Sequence, residues 1–150
     1  MDTIGKVGTV LHRKPSEIWS IAPDATVFDA VKLMADKNIG ALLVMDAHGA
    51  LMGILSERDY TRKVILKGRS SKATSVRDIM ETHLITVSPH ETITDCLRII
   101  TEQRIRHLPV MNDGKLVGIV SIGDLVNWII AAQEMTIDHQ QKYITGEYPA

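Results

Sequence analysis

Twice in this chain a serine and an aspartate, three residues apart, follow directly on an apolar run. They are Ser56 and Asp59 in GILSERDY, and Ser121 and Asp124 in GIVSIGDL. A helix that opens directly after a strand presents unpaired backbone N–H groups and the positive end of its dipole, an arrangement suited to phosphate. A serine hydroxyl at that end can donate to a phosphate oxygen, and a carboxylate one turn along can accept from both vicinal hydroxyls of a ribose. Gly53 and Gly118 remove a side chain where a ligand could approach the strand backbone. The surroundings differ between the two stretches: Glu57, Arg58 and Tyr60 in the first, Ile122, Gly123 and Leu125 in the second. Arg58 offers phosphate a fork of donors, with Arg62 one turn further on. The two stretches therefore predict either different phosphate counts or a single occupied site.

The same spacing has a plainer reading. Ser/Thr-x-x-Asp is a helix cap with an acidic residue at the third helical position, and it recurs at Thr26, Ser75 and Thr92. Capping and ligand binding both stay open at this level. Catalysis finds no constellation: the chain has no GxxxxGK[ST] loop, no GxGxxG and no HExxH. Its six histidines lack metal-ligand spacing, and its one cysteine cannot build a zinc site, so no metal is required. Cys96 falls on an apolar helix face and reads as core rather than nucleophile. Glu57 and Asp59 read as solvated rather than catalytic, and the expectation is a protein that is not an enzyme.

The elements that must hold these residues are written in duplicate. Pro23 matches Pro89, Thr26 matches Thr92, Asp29 matches Asp95, Leu42 matches Leu108 and Val44 matches Val110. After a one-residue gap, Gly49 matches Gly114, Gly53 matches Gly118, Ser56 matches Ser121 and Asp59 matches Asp124. Val27, Ala30, Val31, Met34 and Ala35 recur at helical spacing, as do Ile93, Cys96, Leu97 and Ile100. ALLVM and HLPVM read as buried strands paired with ALMGIL and KLVGIV across the turn signals DAHG and NDG. Each copy is thus strand, helix, strand, strand, helix. The expected organisation is an N-terminal amphipathic segment over 1–14, a first repeat over 15–67, a linker with a short helix over 68–80, a second repeat over 81–132 and a polar tail over 133–150. The linker, KGRSSKATSVRD, is basic and serine-rich and is expected to be solvent-exposed.

Composition narrows the class further. Of 150 residues, 45% are hydrophobic and 23% charged, the balance of a soluble globular protein. A formal net charge of -1 gives no pull towards nucleic acid or an anionic membrane. Aromatics at 4% are too few for a reader of stacked single-stranded bases. No apolar run approaches the ~18–20 residues of a membrane span, and no secretory signal opens the chain. A lone cysteine fits a reducing cytoplasm.

In RHLPV at Arg106, in the element order and in the two Gly-x-x-Ser-x-x-Asp stretches, residues 15–132 resemble a tandem pair of CBS domains, a Bateman module. The resemblance implies an α/β (α+β) fold of two pseudo-symmetric β-α-β-β-α repeats packed together. It implies a regulatory sensor of an adenine nucleotide (AMP, ADP, ATP, S-adenosylmethionine or NAD(H)) that forms a homodimer and acts on an effector protein. In such modules the aspartate matching Asp59 and Asp124 is the usual ribose ligand, with Ser56 and Ser121 near phosphate. Basic residues placed like Arg104, Arg106 and His107 often approach phosphates. Adenine lies against the strand carrying Leu42, Leu43, Leu108 and Pro109, with Ile21, Pro23, Val87 and Pro89 as apolar walls. Two rival readings are a ligand-free dimerisation module and nucleic-acid binding by the basic stretch Arg58, Arg62, Lys63, Lys67, Arg69, Lys72 and Arg77.

Overall fold

A computed structural model describes residues 5–13 and 18–145, the last ten of these in backbone only. Residues 1–4, 14–17 and 146–150, which include the ends of the expected N-terminal segment and tail, lie outside the described residues. In order, the elements are α1 (Val7–Arg13), β1 (Ser20–Ile21), α2 (Val27–Lys37), β2 (Ala41–Met45), β3 (Leu51–Ser56), α3 (Glu57–Tyr60), α4 (Val76–Ile79), α5 (Ile93–Gln103), β4 (His107–Asn112), β5 (Lys115–Ser121) and α6 (Ile122–Thr145). A π turn over Thr61–Ile65 continues α3, closed by the Leu66 N–H on the Thr61 carbonyl at 3.0 Å. The mixed α+β repeat expected from the pattern is present twice.

Local chemistry accounts for most of these elements. In α2 the buried residues Val27, Ala30 and Met34 share one face, and in α5 Ile93, Cys96 and Ile100 do the same. Thr26 and Thr92 cap these helices by accepting from the backbone of Asp29 and Asp95, each at 3.1 Å. Both helices end on a left-handed residue, Asn38 and Arg104. The hairpins differ as their turn sequences require. Asp113 and Gly114 both have positive φ, the geometry of a tight two-residue loop. The longer DAHG turn instead wraps on Asp46, whose carboxylate accepts from His48 and Ala50 at 2.9 Å each. Those amide donors, Ala50 first, hold the Asp46 carboxyl below the usual carboxylate range.

Contacts divide the chain into two compact units, and the division exchanges segments between the repeats. One unit is the first repeat with the linker, residues 17–85; the other joins α1 to the second repeat. The linker helix α4 and the N-terminal helix α1 are the same structural piece. Val76 and Arg77 donate to the carbonyls of Ala25 and Pro23, both at 2.9 Å, and Val7 and Gly8 donate to those of Glu91 and Pro89 at 3.0 and 2.9 Å. A bridge between Thr26 and Ser75 has its counterpart between Lys6 and Thr92. The linker is therefore not uniformly exposed: Thr74, Val76 and Ile79 are buried, because α4 lays an apolar face on the first repeat. Ser75 stands at the start of α4 but makes no side-chain cap; its carbonyl takes the Asp78 N–H instead.

The cores are built alike. In the first unit Val27, Ala30, Met34, Leu42, Val44, Leu55, Val64, Val76 and Ile79 form one cluster. At about 25 cal/mol per Å² of apolar surface, burial of such side chains is the main stabilising term. In the other unit Val7, Val10, Ile93, Cys96, Ile100, Leu108, Val110, Val120 and Leu125 are buried. Burial pushes the Cys96 thiol up to about 11. The polar tail from position 133 continues α6 as helix to Thr145.

One difference between the sheets follows from a single residue. β1 runs parallel to β2, with Ser20 opposite Leu43 and Ile21 opposite Val44, and the Leu43 N–H bonds to the Trp19 carbonyl at 3.3 Å. At the matching place stands Pro109, which has no N–H to give. There the third strand shrinks to one bridge, Val87 with Val110, held by Val87 N–H to Pro109 and Met111 N–H to Val87. The first sheet has three strands and the second two.

Candidate functional site

Both Ser-x-x-Asp stretches fold as capping boxes at the junction of a strand and a helix. In the first, Ser56 Oγ accepts from the Asp59 backbone at 3.1 Å, while Asp59 Oδ2 accepts from the Ser56 backbone at 2.9 Å and from its hydroxyl at 3.0 Å. In the second, Ser121 Oγ accepts from the Asp124 backbone at 3.0 Å, and Asp124 Oδ2 accepts from the Ser121 backbone at 2.8 Å. The first helical N–H of each is also taken: Glu57 donates to the Gly40 carbonyl at 3.0 Å and Ile122 to that of Arg106 at 2.8 Å. Each box is worth roughly 0.5–2 kcal/mol to its helix. Capping is thus part of what these residues do.

Capping leaves acceptor capacity on the carboxylates, since an ionised carboxylate has about four lone-pair positions. Asp59 is 18% exposed, and its Oδ1 faces Lys63 Nζ at 3.2 Å. Lys63 Nζ also donates to the Ile79 carbonyl at 3.0 Å. Of the seven cations in the basic stretch, three face carboxylates, Lys63 with Asp59, Arg77 with Asp24 at 3.0 Å and Arg69 with Asp78 at 3.8 Å, and Lys72 lies over the Phe28 ring at 4.9 Å.

Of the residues expected to act together, some converge and some serve elsewhere. His107 lies directly opposite Ser121 across the β4–β5 pair, and the Arg106 carbonyl holds the start of α6, so the RIRH segment and the Ser121–Asp124 box form one locus. Ala41 occupies the equivalent place opposite Ser56, without a basic side chain. Arg58 is exposed on the first turn of α3 and Arg106 is exposed beside β4. Leu42, Leu43, Leu108, Pro109 and Val87 are buried, with Ile21 and Pro89 half-buried. Pro23 and Pro89 bind α4 and α1 through their carbonyls, so their backbone role is to anchor those helices.

The two motif glycines also have reasons within the protein. A Cβ on Gly53 would stand 2.8 Å from the Glu81 carbonyl oxygen and 3.0 Å from Met80 Sδ. A Cβ on Gly118 would stand 2.8 Å from Leu11 Cδ2. Chain, not ligand, approaches the strand at both places. Sequence reading missed Lys63 as the partner of Asp59; the signal was present, an acid and a base four residues apart at the start of a helix.

With this geometry in place, comparison with known proteins settles the family. The CBS domain family matches residues 7–65 and again 76–131, and each match begins at an equivalent valine, Val7 or Val76. The chain belongs to the CBS domain family. A mitochondrial CBS domain-containing protein of Arabidopsis thaliana is 44% identical over 89% of the chain, which spans 66% of that relative's length. A CBS-domain protein from Burkholderia ambifaria is 48% identical, with a TM-score of 0.83 over 86% of this chain and 96% of its own. A hexameric CBS-CP12 protein from bloom-forming cyanobacteria is 31% identical, with a TM-score of 0.72 over 81% and 69%. CBS domains are regulatory modules that generally bind adenine nucleotides. The residues here are of the kinds such a group calls for: a half-buried carboxylate at the start of a helix in each repeat, with arginines exposed nearby. Among the described residues no three His, Cys, Asp or Glu side chains come together to hold a metal. No described helix is long and apolar enough to cross a membrane.

Proposed function

We propose that this CBS pair is a regulatory sensor of an adenine nucleotide, with Asp59 and Asp124 as ribose acceptors, Ser56 and Ser121 near phosphate, and Arg58, Arg106 and His107 as phosphate donors. Leu42, Leu43, Leu108 and Pro109 underlie the adenine, with Ile21, Pro23, Val87 and Pro89 beside it. The observation that carries this reading is the duplicated Ser–Asp clasp, held half-buried at a strand-to-helix junction in both repeats of a CBS chain. The ligand is AMP, ADP, ATP or NAD(H), the protein is cytoplasmic, and the output is a change in its contacts with a homodimer mate or an effector protein. An exposed apolar row on α6, Ile122, Val126 and Ile130 at successive turns, supports a homodimer surface. Binding shifts such a module only through different affinities for its two states.

The test is a thermal-shift series on ligand-stripped protein with AMP, ADP, ATP, NAD, NADH and S-adenosylmethionine, and GTP as control. A ligand at 100 times its Kd adds ~2.7 kcal/mol, a rise of roughly 5–10 °C at this size. The expected result is a rise with an adenine ligand that Asp59→Asn or Asp124→Asn abolishes. A flat series with folded, empty protein refutes the reading and leaves the two clasps as caps alone.

A further inference from the structure

The Asp59 carboxylate is already engaged by its own repeat. On Asp59, Oδ2 already takes two hydrogen bonds from Ser56, and Oδ1 faces Lys63 Nζ at 3.2 Å. Three of about four lone-pair positions are thus engaged, whereas a vicinal diol needs two. Lys63 does not sweep freely, because its ammonium is also held by the Ile79 carbonyl at 3.0 Å, at the end of the linker helix α4, where the Ile79 side chain is buried.

We propose that Lys63 is a specificity-determining residue, a built-in competitor that a ribose diol must displace from Asp59 before the first repeat can bind. The inference rests on the reading that a nucleotide ribose seats on this carboxylate. The affinity of the first repeat for ribose is then offset by loss of the Lys63–Asp59 pair. That loss also ties occupancy to the linker, since a displaced Lys63 keeps only its bond to Ile79.

The experiment uses the full chain carrying Asp124→Asn, which silences the second repeat. Calorimetric titrations with adenosine and with 2′,3′-dideoxyadenosine compare this parent with Lys63→Met and Lys63→Gln added. Glutamine retains a donor for the Ile79 carbonyl and separates the loss of charge from any loosening of α4. Both Lys63 variants are expected to bind adenosine roughly two- to fivefold more tightly, the worth of a part-exposed ion pair. Dideoxyadenosine, which lacks the diol, is expected to respond to neither. Unchanged or weaker adenosine binding in both variants, while the parent binds, overturns the role of Lys63. An equal gain for dideoxyadenosine overturns it too, because the effect would not pass through the diol. No adenosine binding to parent or variants overturns the ribose reading of Asp59 itself.

Discussion

Alanine at Gly53 and alanine at Gly118 are the same substitution at the same place in two copies of one repeat, yet they should differ in outcome. At Gly53 the new methyl would lie 2.8 Å from the Glu81 carbonyl oxygen, and that oxygen is pinned by the Ile54 N–H at 3.0 Å. Glu81 returns a bond to the Ile54 carbonyl at 2.9 Å, so relief of the clash strains or breaks both. At about 1 kcal/mol each, the pair is worth ~2 kcal/mol. Against this stands ~0.5–1 kcal/mol gained by replacing glycine within a strand. The net expectation is a loss of about 1–1.5 kcal/mol. At Gly118 the methyl meets only the end of the Leu11 side chain, which can rotate away, so the same gain leaves a change within about 0.5 kcal/mol of zero. Urea unfolding followed by circular dichroism reads both. At roughly 2–4 °C per kcal/mol, Gly53→Ala should also melt about 2–6 °C lower. Equal effects at the two positions would refute the assignment of Gly53 to backbone crowding and Gly118 to side-chain crowding.

Further expectations are open to direct measurement. Asp59→Ala and Asp124→Ala remove one side of each capping box and should each cost about 0.5–2 kcal/mol in denaturant in the absence of nucleotide; stability unchanged in both would deny that the boxes hold their helices. Cys96 should resist alkylation at pH 8 in the folded protein and react once urea unfolds it, because burial holds its thiol up to about 11. Its folded value is raised, so the stability linked to it is complete below the ordinary thiol value of about 8.5 and fades as pH rises towards about 11. A fall in stability over that alkaline window that vanishes in Cys96→Ala checks the sign. Binding of any duplex or single-stranded nucleic acid should be absent at ordinary salt, as the formal net charge of -1 implies; a complex whose affinity falls steeply with salt would reverse that conclusion.

Much of this molecule is visible in its one-dimensional pattern, for a physical reason. Helix faces such as Val27–Ala30–Met34, the threonine caps, the Asp113–Gly114 turn and the Ser–Asp boxes all depend on residues within one or two turns of each other. Local sequence therefore determined the duplicate repeat, its element order and the placing of Ser56, Asp59, Ser121 and Asp124 at helix starts. Pro109 could be read as a lost ladder donor, but only the register with Val87 and Val110 decided that the loss would trim the outer strand of one sheet. Which segment packs on which repeat was a tertiary matter. The surfaces offered by α1 and by α4 are alike, and nothing within either stretch says that α1 belongs with the second repeat and α4 with the first. That choice makes the linker partly core, places Glu81 against Gly53 and Leu11 against Gly118, and brings the Ile79 carbonyl to Lys63. These contacts join residues far apart in the chain, and such proximity comes only from burying apolar faces together.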